Sequence, residues 1–348
     1  MKYLTLIALF TLFYRFNAHC QIMGETKASF PAKIGEMVRP YSDNKRLNWE
    51  GTAPRPLVTQ VWYPAAYGGY KMWIKDSLQF SRSKLFYQNA RLETNRKFPL
   101  ILISHGAHAN ADQMQWLACY LASTGFIAAV VNNNGSAKEE KAIEGFTLTD
   151  FCMWERPRDL SVVLDWLLSD PLFGKVIDTA RIGSAGFSLG GATAIWVAGA
   201  VFNRDSLAKG EPSPPEQIKA IIDKQIALSK TDPMVIASFK RSIASYYDPR
   251  FKAVFALAPA IGQAFPLDGL SRIKVPVQIV VGDADIIAPK TYNADHYTDG
   301  IKTAKKLIVL PGERGHYTHP PISKSRPEEL NEVAEIAASF FKSTFDLH

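Results

Sequence analysis

The segment Gly186-Phe187-Ser188-Leu189-Gly190 sets one serine between glycines, and histidines and aspartates follow it along the chain. A serine hydroxyl is a weak nucleophile by itself. It needs a base to take its proton and an acid to orient that base. The glycine spacing has a steric cause. At a sharp strand-to-helix turn, the residues two places either side of the serine approach each other so closely that both must be small. Gly186 and Gly190 fill those places. The turn lifts the Ser188 hydroxyl to the C-terminal edge of a sheet. The free N–H groups of the next helix point at the same spot, and that of Leu189 suits a developing oxyanion. A second donor is expected from an earlier strand-end loop, LISHGAHAN, where His-Gly lets the backbone approach and the N–H of Ala107 is in place.

In sheet folds of this kind the base comes last along the chain, in the order serine, acid, histidine. That leaves His296, His316 and His319. His316 follows Gly315 on a loop just after the last apolar run, LIVLPGERGHYTHP, and is the favoured base, with His319 in reserve. His296 lies in a polar, helix-like stretch and reads as a surface residue. The acid is expected in VPVQIVVGDADIIAP, which offers Asp283 and Asp285. The spacing G-x-x-D from Gly282 favours Asp285 and leaves Asp283 as a turn-former. His105 precedes the serine and reads as loop-shaping.

These residues need a scaffold, and the chain alternates accordingly. The runs FPLILIS, FIAAVV, ARIGSAGF, FKAVFAL, VPVQIVV and KKLIVL are strand-like and mostly apolar throughout, as strands buried on both faces are. Between them lie ADQMQWLACYLASTG, PRDLSVVLDWLLSD and GGATAIWVAGA, with apolar residues at helical spacing, and RPEELNEVAEIAASFFKSTF closes the chain as an amphipathic helix. Such alternation predicts an α/β fold, a mostly parallel central sheet with helices on both faces. RPLVTQVWYP (55–64) alternates as a half-exposed strand, with 34–43 as its antiparallel partner. Residues 65–97 read as a surface excursion with one short helix. Residues 203–249 hold helix-like pieces and no strand, a helical insertion in an otherwise single domain spanning 21–348.

Residues 1–20 read as a secretory signal, a basic start followed by an apolar stretch, with cleavage expected after Cys20. An uncleaved anchor or a lipidated Cys20 are the alternatives. Export to the periplasm or the medium is therefore expected. No later apolar run reaches the roughly 20 residues that span a bilayer. The formal charge of +7 drops to 7 − 2 = +5 once Lys2 and Arg15 leave. That excess is spread without a basic block, so nucleic acid is not an indicated partner. There is no CxxC and no His/Cys cluster with zinc spacing, so no metal is expected, and the proposed chemistry needs no cofactor. Cys119 and Cys152 form either one disulfide or two buried thiols. The tryptophans 62, 73, 116, 154 and 196 read as core and rim packing.

The segments SHGAHANADQMQWLACYLASTGF, WERPRDLSVVLDWLL, RIGSAGFSLGGATA, VFALAPA, VQIVVGDAD and GERGHYTHP together resemble the α/β-hydrolase superfamily. Within it they are most similar to bacterial dienelactone-hydrolase-like proteins, relatives of platelet-activating-factor acetylhydrolases. The resemblance implies Ser188 as nucleophile, Asp285 as acid, His316 as base, and the N–H groups of Ala107 and Leu189 as oxyanion donors. Two departures bear on substrate. Dienelactone hydrolases use a cysteine where this chain has Ser188. Animal platelet-activating-factor enzymes carry their acid where this chain reads Ala256-Leu257-Ala258, so the acid here must come from the later Gly-Asp-Ala-Asp loop. Arg156 and Asp159, in the Arg-Pro-x-Asp segment, read as anchors of a helix start. The expected activity is hydrolysis of a small-molecule ester or lipid-like substrate. Amidase, thioesterase and acyltransferase chemistry use the same three groups, and a binding protein on the same scaffold is a rival of another class.

Overall fold

The computed structural model describes residues 33–73, 85–136, 142–143, 146–147, 151–208, 216–316 and 327–347. The expected leader with Cys20, and His319, lie outside these residues.

The chain opens with two long strands, Lys33–Leu47 (β1) and Pro54–Tyr67 (β2). They pair antiparallel, with Lys33 opposite Ala65 and Asp43 opposite Arg55. Three short strands follow, Tyr70–Trp73 (β3), Leu85–Gln88 (β4) and Arg91–Leu92 (β5). The helix expected somewhere in 65–97 is therefore not found among the described residues. Aromatic side chains there suit a pleated surface, and Phe86 packs its ring 4.8 Å from that of Trp62.

The apolar runs then become the central strands Phe98–Ser104 (β6) and Ile127–Val131 (β7), every residue of which is buried. A hairpin of Ala142–Ile143 (β8) and Phe146–Thr147 (β9) stands apart from the main sheet. Ile177–Phe187 (β10), Ala253–Leu257 (β11), Val277–Gly282 (β12) and Ile308–Leu310 (β13) complete an 11-stranded sheet. Its order is β13-β12-β11-β10-β6-β7-β2-β1-β4-β3, with β5 attached to β2. From β13 to β7 all neighbours run parallel.

Side chains alternate across this sheet. Ile101 and Ile103 face one apolar layer, with residues of the helices Gln115–Ser123 (α1) and Pro327–Thr344 (α8). Leu100 and Leu102 face the other, with Leu160, Val163, Leu164 and Leu167 of Glu155–Ser169 (α2). Leu189–Val197 (α3) is buried along its whole length, which its glycines and alanines permit. After it come three helices of the strandless segment, Arg204–Ala208 (α4), Glu216–Thr231 (α5) and Pro233–Phe239 (α6). α5 and α6 lean on the residues just before α2: Trp154 Nε1 donates to the Ser238 carbonyl at 2.9 Å, and Gln225 donates to the Phe151 carbonyl. Trp62, Trp154 and Trp196 are core residues, as their area demands. Cys119 and Cys152 are buried thiols not joined by a disulfide. Burial pushes the Cys152 thiol up to about 12.

One charged cluster ties the hairpin to the helices. Asp159 is fully buried and accepts from Arg46 at 2.6 Å, from Arg55 at 2.8 Å and from Asn133 at 2.9 Å. Glu155 accepts from Arg46 at 2.8 Å, Ser238 at 2.6 Å and Arg241 at 2.8 Å. Arg156 stands in the first turn of α2 and Asp159 just past it, where Glu155 is the first-turn acid, and the reach of both goes well beyond the helix start. Burial alone would raise the Asp159 carboxyl; Arg55 and Arg46 outweigh it and hold the group below the usual carboxylate range. A depressed folded value means a contribution present above the unfolded pKa of about 3.9 and lost as pH falls through the folded value. Asp159→Asn leaves two buried guanidiniums short of charge and should cost about 3–5 kcal/mol by urea unfolding at pH 7. The cost should shrink below pH 4. An unchanged urea midpoint at neutral pH would remove the cluster from the stability account.

Candidate active site

The parallel register brings the relevant loops to one edge. Gly186 pairs with Ser104 on one side and Ala256 on the other, so the ends of β6, β10 and β11 finish level. Loops leaving the C-terminal ends of parallel strands are where such sheets place ligands. Ser188 sits at that level, between the last residue of β10 and the first of α3, with φ 55° and ψ −121°. This conformation is rare for a residue with a side chain, and it persists because the surroundings leave no alternative. A Cβ on Gly186 would lie 2.1 Å from the Gly190 carbonyl oxygen, and one on Gly190 would lie 2.0 Å from that of Ser104. The glycine requirement read from the sequence is thus a matter of atoms in contact. The elbow is further fixed by the Ser188 N–H donating to the Leu257 carbonyl at 2.9 Å, and by the Ser188 carbonyl accepting from Ala192 and Ala260 at 3.1 Å.

Asp285 and His316 meet. His316 Nδ1 lies 2.7 Å from Asp285 Oδ2, and both side chains are buried. The other carboxylate oxygen accepts the N–H groups of Ile287 at 3.0 Å and Ala288 at 2.8 Å, so the acid is held at both oxygens. Asp283 does something different. Its oxygens accept the N–H groups of Gly312 at 3.0 Å and Arg314 at 2.8 Å, and the Ala284 N–H donates to the Arg314 carbonyl at 2.9 Å. Asp283 therefore laces the loop that presents His316 to the loop that presents Asp285.

His316 reaches the elbow through the residue before the serine. Its ring centroid lies 4.7 Å from that of Phe187, at 45° between planes. Leu189 opens α3, ahead of the first N–H that finds an intrahelical carbonyl, that of Ala192. Ala107 follows Gly106 in the loop after β6. The Gly106 N–H donates to Gln113 Oε1 at 2.7 Å, and a Cβ on Gly106 would meet the Phe187 ring at 3.1 Å. His296, expected at the surface, is half-buried in the helix Ala294–Gly300 (α7), with Nε2 at 2.8 Å from the Phe265 carbonyl oxygen. The polar residues beside it hide a partner that only folding supplies.

Sequence reasoning missed Asn133, and missed the contacts that join it to His105 and Arg156 behind the Gly106 loop. His105 is fully buried, and Arg156 donates to its carbonyl and, at 3.1 Å, to Ser104 Oγ. Asn133 accepts from Arg156 Nε at 3.0 Å and donates to Asp159. A buried Arg-Pro-x-Asp segment needs countercharges, and that requirement was the available signal. Among the described residues, no cluster of His, Cys, Asp and Glu is arranged to hold a metal ion, and no helix is long and apolar enough to cross a membrane.

The family described as platelet-activating factor acetylhydrolase, isoform II, matches residues 70–153. No curated protein matches the chain by sequence. Among solved structures, a ferulic acid esterase from Streptomyces cinnamoneus is similar at a TM-score of 0.60 and 19% identity, over 89% of this chain and 89% of that one. The likeness shows an α/β-hydrolase fold.

Proposed function

Taking the α/β-hydrolase fold as the premise, we propose that the chain is an exported serine hydrolase that cleaves carboxylic esters through an acyl-enzyme on Ser188. The observation that carries the reading is the 2.7 Å Asp285–His316 pair, whose imidazole packs at a tilt against Phe187, the residue that precedes Ser188. Nδ1 of His316 faces the carboxylate, which leaves Nε2 to take the Ser188 proton. The Oγ–carbon bond forms as the carbonyl π pair moves to oxygen, where the Ala107 and Leu189 N–H groups receive the charge. The tetrahedral species collapses, the ester C–O bond breaks, and His316 hands its proton to the departing alkoxide. Water repeats the sequence on the acyl-enzyme, His316 taking one water proton and returning it to Ser188 Oγ. Asp285 stays ionised throughout and supports the transient imidazolium.

A fluorophosphonate probe tests this directly. Ser188 Oγ should displace fluoride from phosphorus, and the adduct should map by mass spectrometry to the peptide carrying Ser188. An intact, folded protein that resists the probe would point to a binding role on this scaffold. Nitrophenyl esters from acetate to palmitate, with a feruloyl ester beside them, then report the acyl preference. Export follows from residues 1–20, and the exported protein should begin at Gln21 by intact mass. A mass that retains the leader overturns cleavage there.

A further inference from the structure

We propose that His105, carrying its proton on Nδ1, is the positioning residue that aims the Ala107 N–H into the site. The inference rests on the serine-hydrolase reading and assigns a role that reading leaves open. His105 Nδ1 lies 2.8 Å from the Gly106 carbonyl oxygen. That carbonyl and the Ala107 N–H belong to one peptide group. A trans peptide is planar, with its C=O and N–H pointing in opposite directions. Whatever grips the oxygen therefore sets the direction of the hydrogen. The Gly106 carbonyl is an acceptor only, so Nδ1 must be the donor.

The other ring nitrogen agrees. His105 Nε2 accepts from the Asn133 backbone N–H at 3.4 Å, which requires Nε2 to be bare. Arg156 Nη2 also lies 3.4 Å from Nδ1, but it has better acceptors in the His105 carbonyl and in Ser104 Oγ, the latter at 3.1 Å. Its approach to Nδ1 is a close packing contact, and its positive charge opposes a second proton on the ring. Burial, and then that guanidinium, push the imidazole down to about 3. The ring thus stays uncharged in one tautomer across the working pH range. Asn133 and Arg156 hold the histidine, the histidine holds the peptide, and Gln113 holds the N–H on the near side of Gly106 at 2.7 Å.

Two side chains separate this role from mere filling of space. In His105→Asn the amide nitrogen falls near the position of Nδ1; in His105→Gln it falls near that of Nε2. Loss of one oxyanion donor costs about 10²–10³ in turnover. His105→Gln should lower kcat on nitrophenyl acetate about 100-fold with KM within about threefold, and His105→Asn should recover at least about tenfold of that loss. Equal kcat for the two variants, or values near wild type for both, would overturn the proposal. A second measurement needs no variant to be active. The ring nitrogens of ¹⁵N-histidine-labelled wild type, with the His105 signals identified by their absence from the Asn variant, should show protonated Nδ1 and bare Nε2 from pH 5 to 8. Should neither substitution fold, the His105 signals are identified by coupling to the Asn133 backbone amide, whose N–H donates to Nε2. Protonated Nε2 overturns the assignment whatever the kinetics. A wild type inert to the fluorophosphonate sinks the hydrolase reading instead, and leaves the tautomer test standing as a separate result.

Discussion

Ser188→Ala should lower kcat on a short nitrophenyl ester by about 10⁶, leaving only the catalysis that binding and the oxyanion donors supply. The bend that presents the hydroxyl depends on glycine at 186 and 190, where a side chain would enter the backbone of Gly190 and of Ser104. Removing one oxygen from the apex leaves that packing intact, so the fold should survive. The variant tests chemistry apart from stability, and its melting temperature should stay within a few degrees of wild type. Retention of more than a hundredth of the activity in the alanine protein would assign the nucleophile elsewhere.

Asp285→Asn should lower kcat by about 10⁴, because an amide facing Nδ1 favours the wrong imidazole tautomer and gives no charge to the imidazolium. The comparison that matters is with Asp283→Asn, two residues away. Asp283 accepts from Gly312 and Arg314 and touches no ring, so its amide variant should disturb the approach of the His316 loop with a much smaller loss of turnover. A tenfold or smaller effect at Asp285, with a large one at Asp283, reverses the two assignments. Both proteins read on the same ester assay, and neither change alters side-chain volume appreciably.

Much of the frame could be read in advance, for a physical reason. Strands β6, β7, β11 and β12 are buried on both faces, so their sequences are uninterrupted apolar runs that few other elements produce. The neighbourhood of Ser188, Asp285 and His316 was legible from order and spacing: Ser188 follows β10 directly, and Asp285 and His316 stand on the loops that leave β12 and β13. The short strands between 70 and 92 were not legible. Tyr70, Lys71, Gln88 and Arg91 interrupt any periodicity, and their pairing is decided by the edge already offered by β1 and β2. Nor were the partners of Arg156 and Asp159. Arg46 and Arg55 lie more than a hundred positions earlier in the chain, and only the antiparallel hairpin delivers them to α2. His105 illustrates the same limit. Its place in a His-Gly pair suggested loop shaping, whereas the atom it grips depends on the Asn133 backbone from the neighbouring strand's end.

The double grip on Glu155 bears on how a substrate can enter. One carboxylate oxygen is occupied by Ser238 and Arg241 from the strandless segment, the other by Arg46 from the hairpin. To swing α6 outward as a hinged cover would strip two donors from a buried carboxylate and leave it Arg46 alone, a penalty of several kcal/mol. Held in this way, α6 behaves as masonry and not as a door. A covalent link between α6 at position 238 and the α2 side should therefore leave turnover undisturbed.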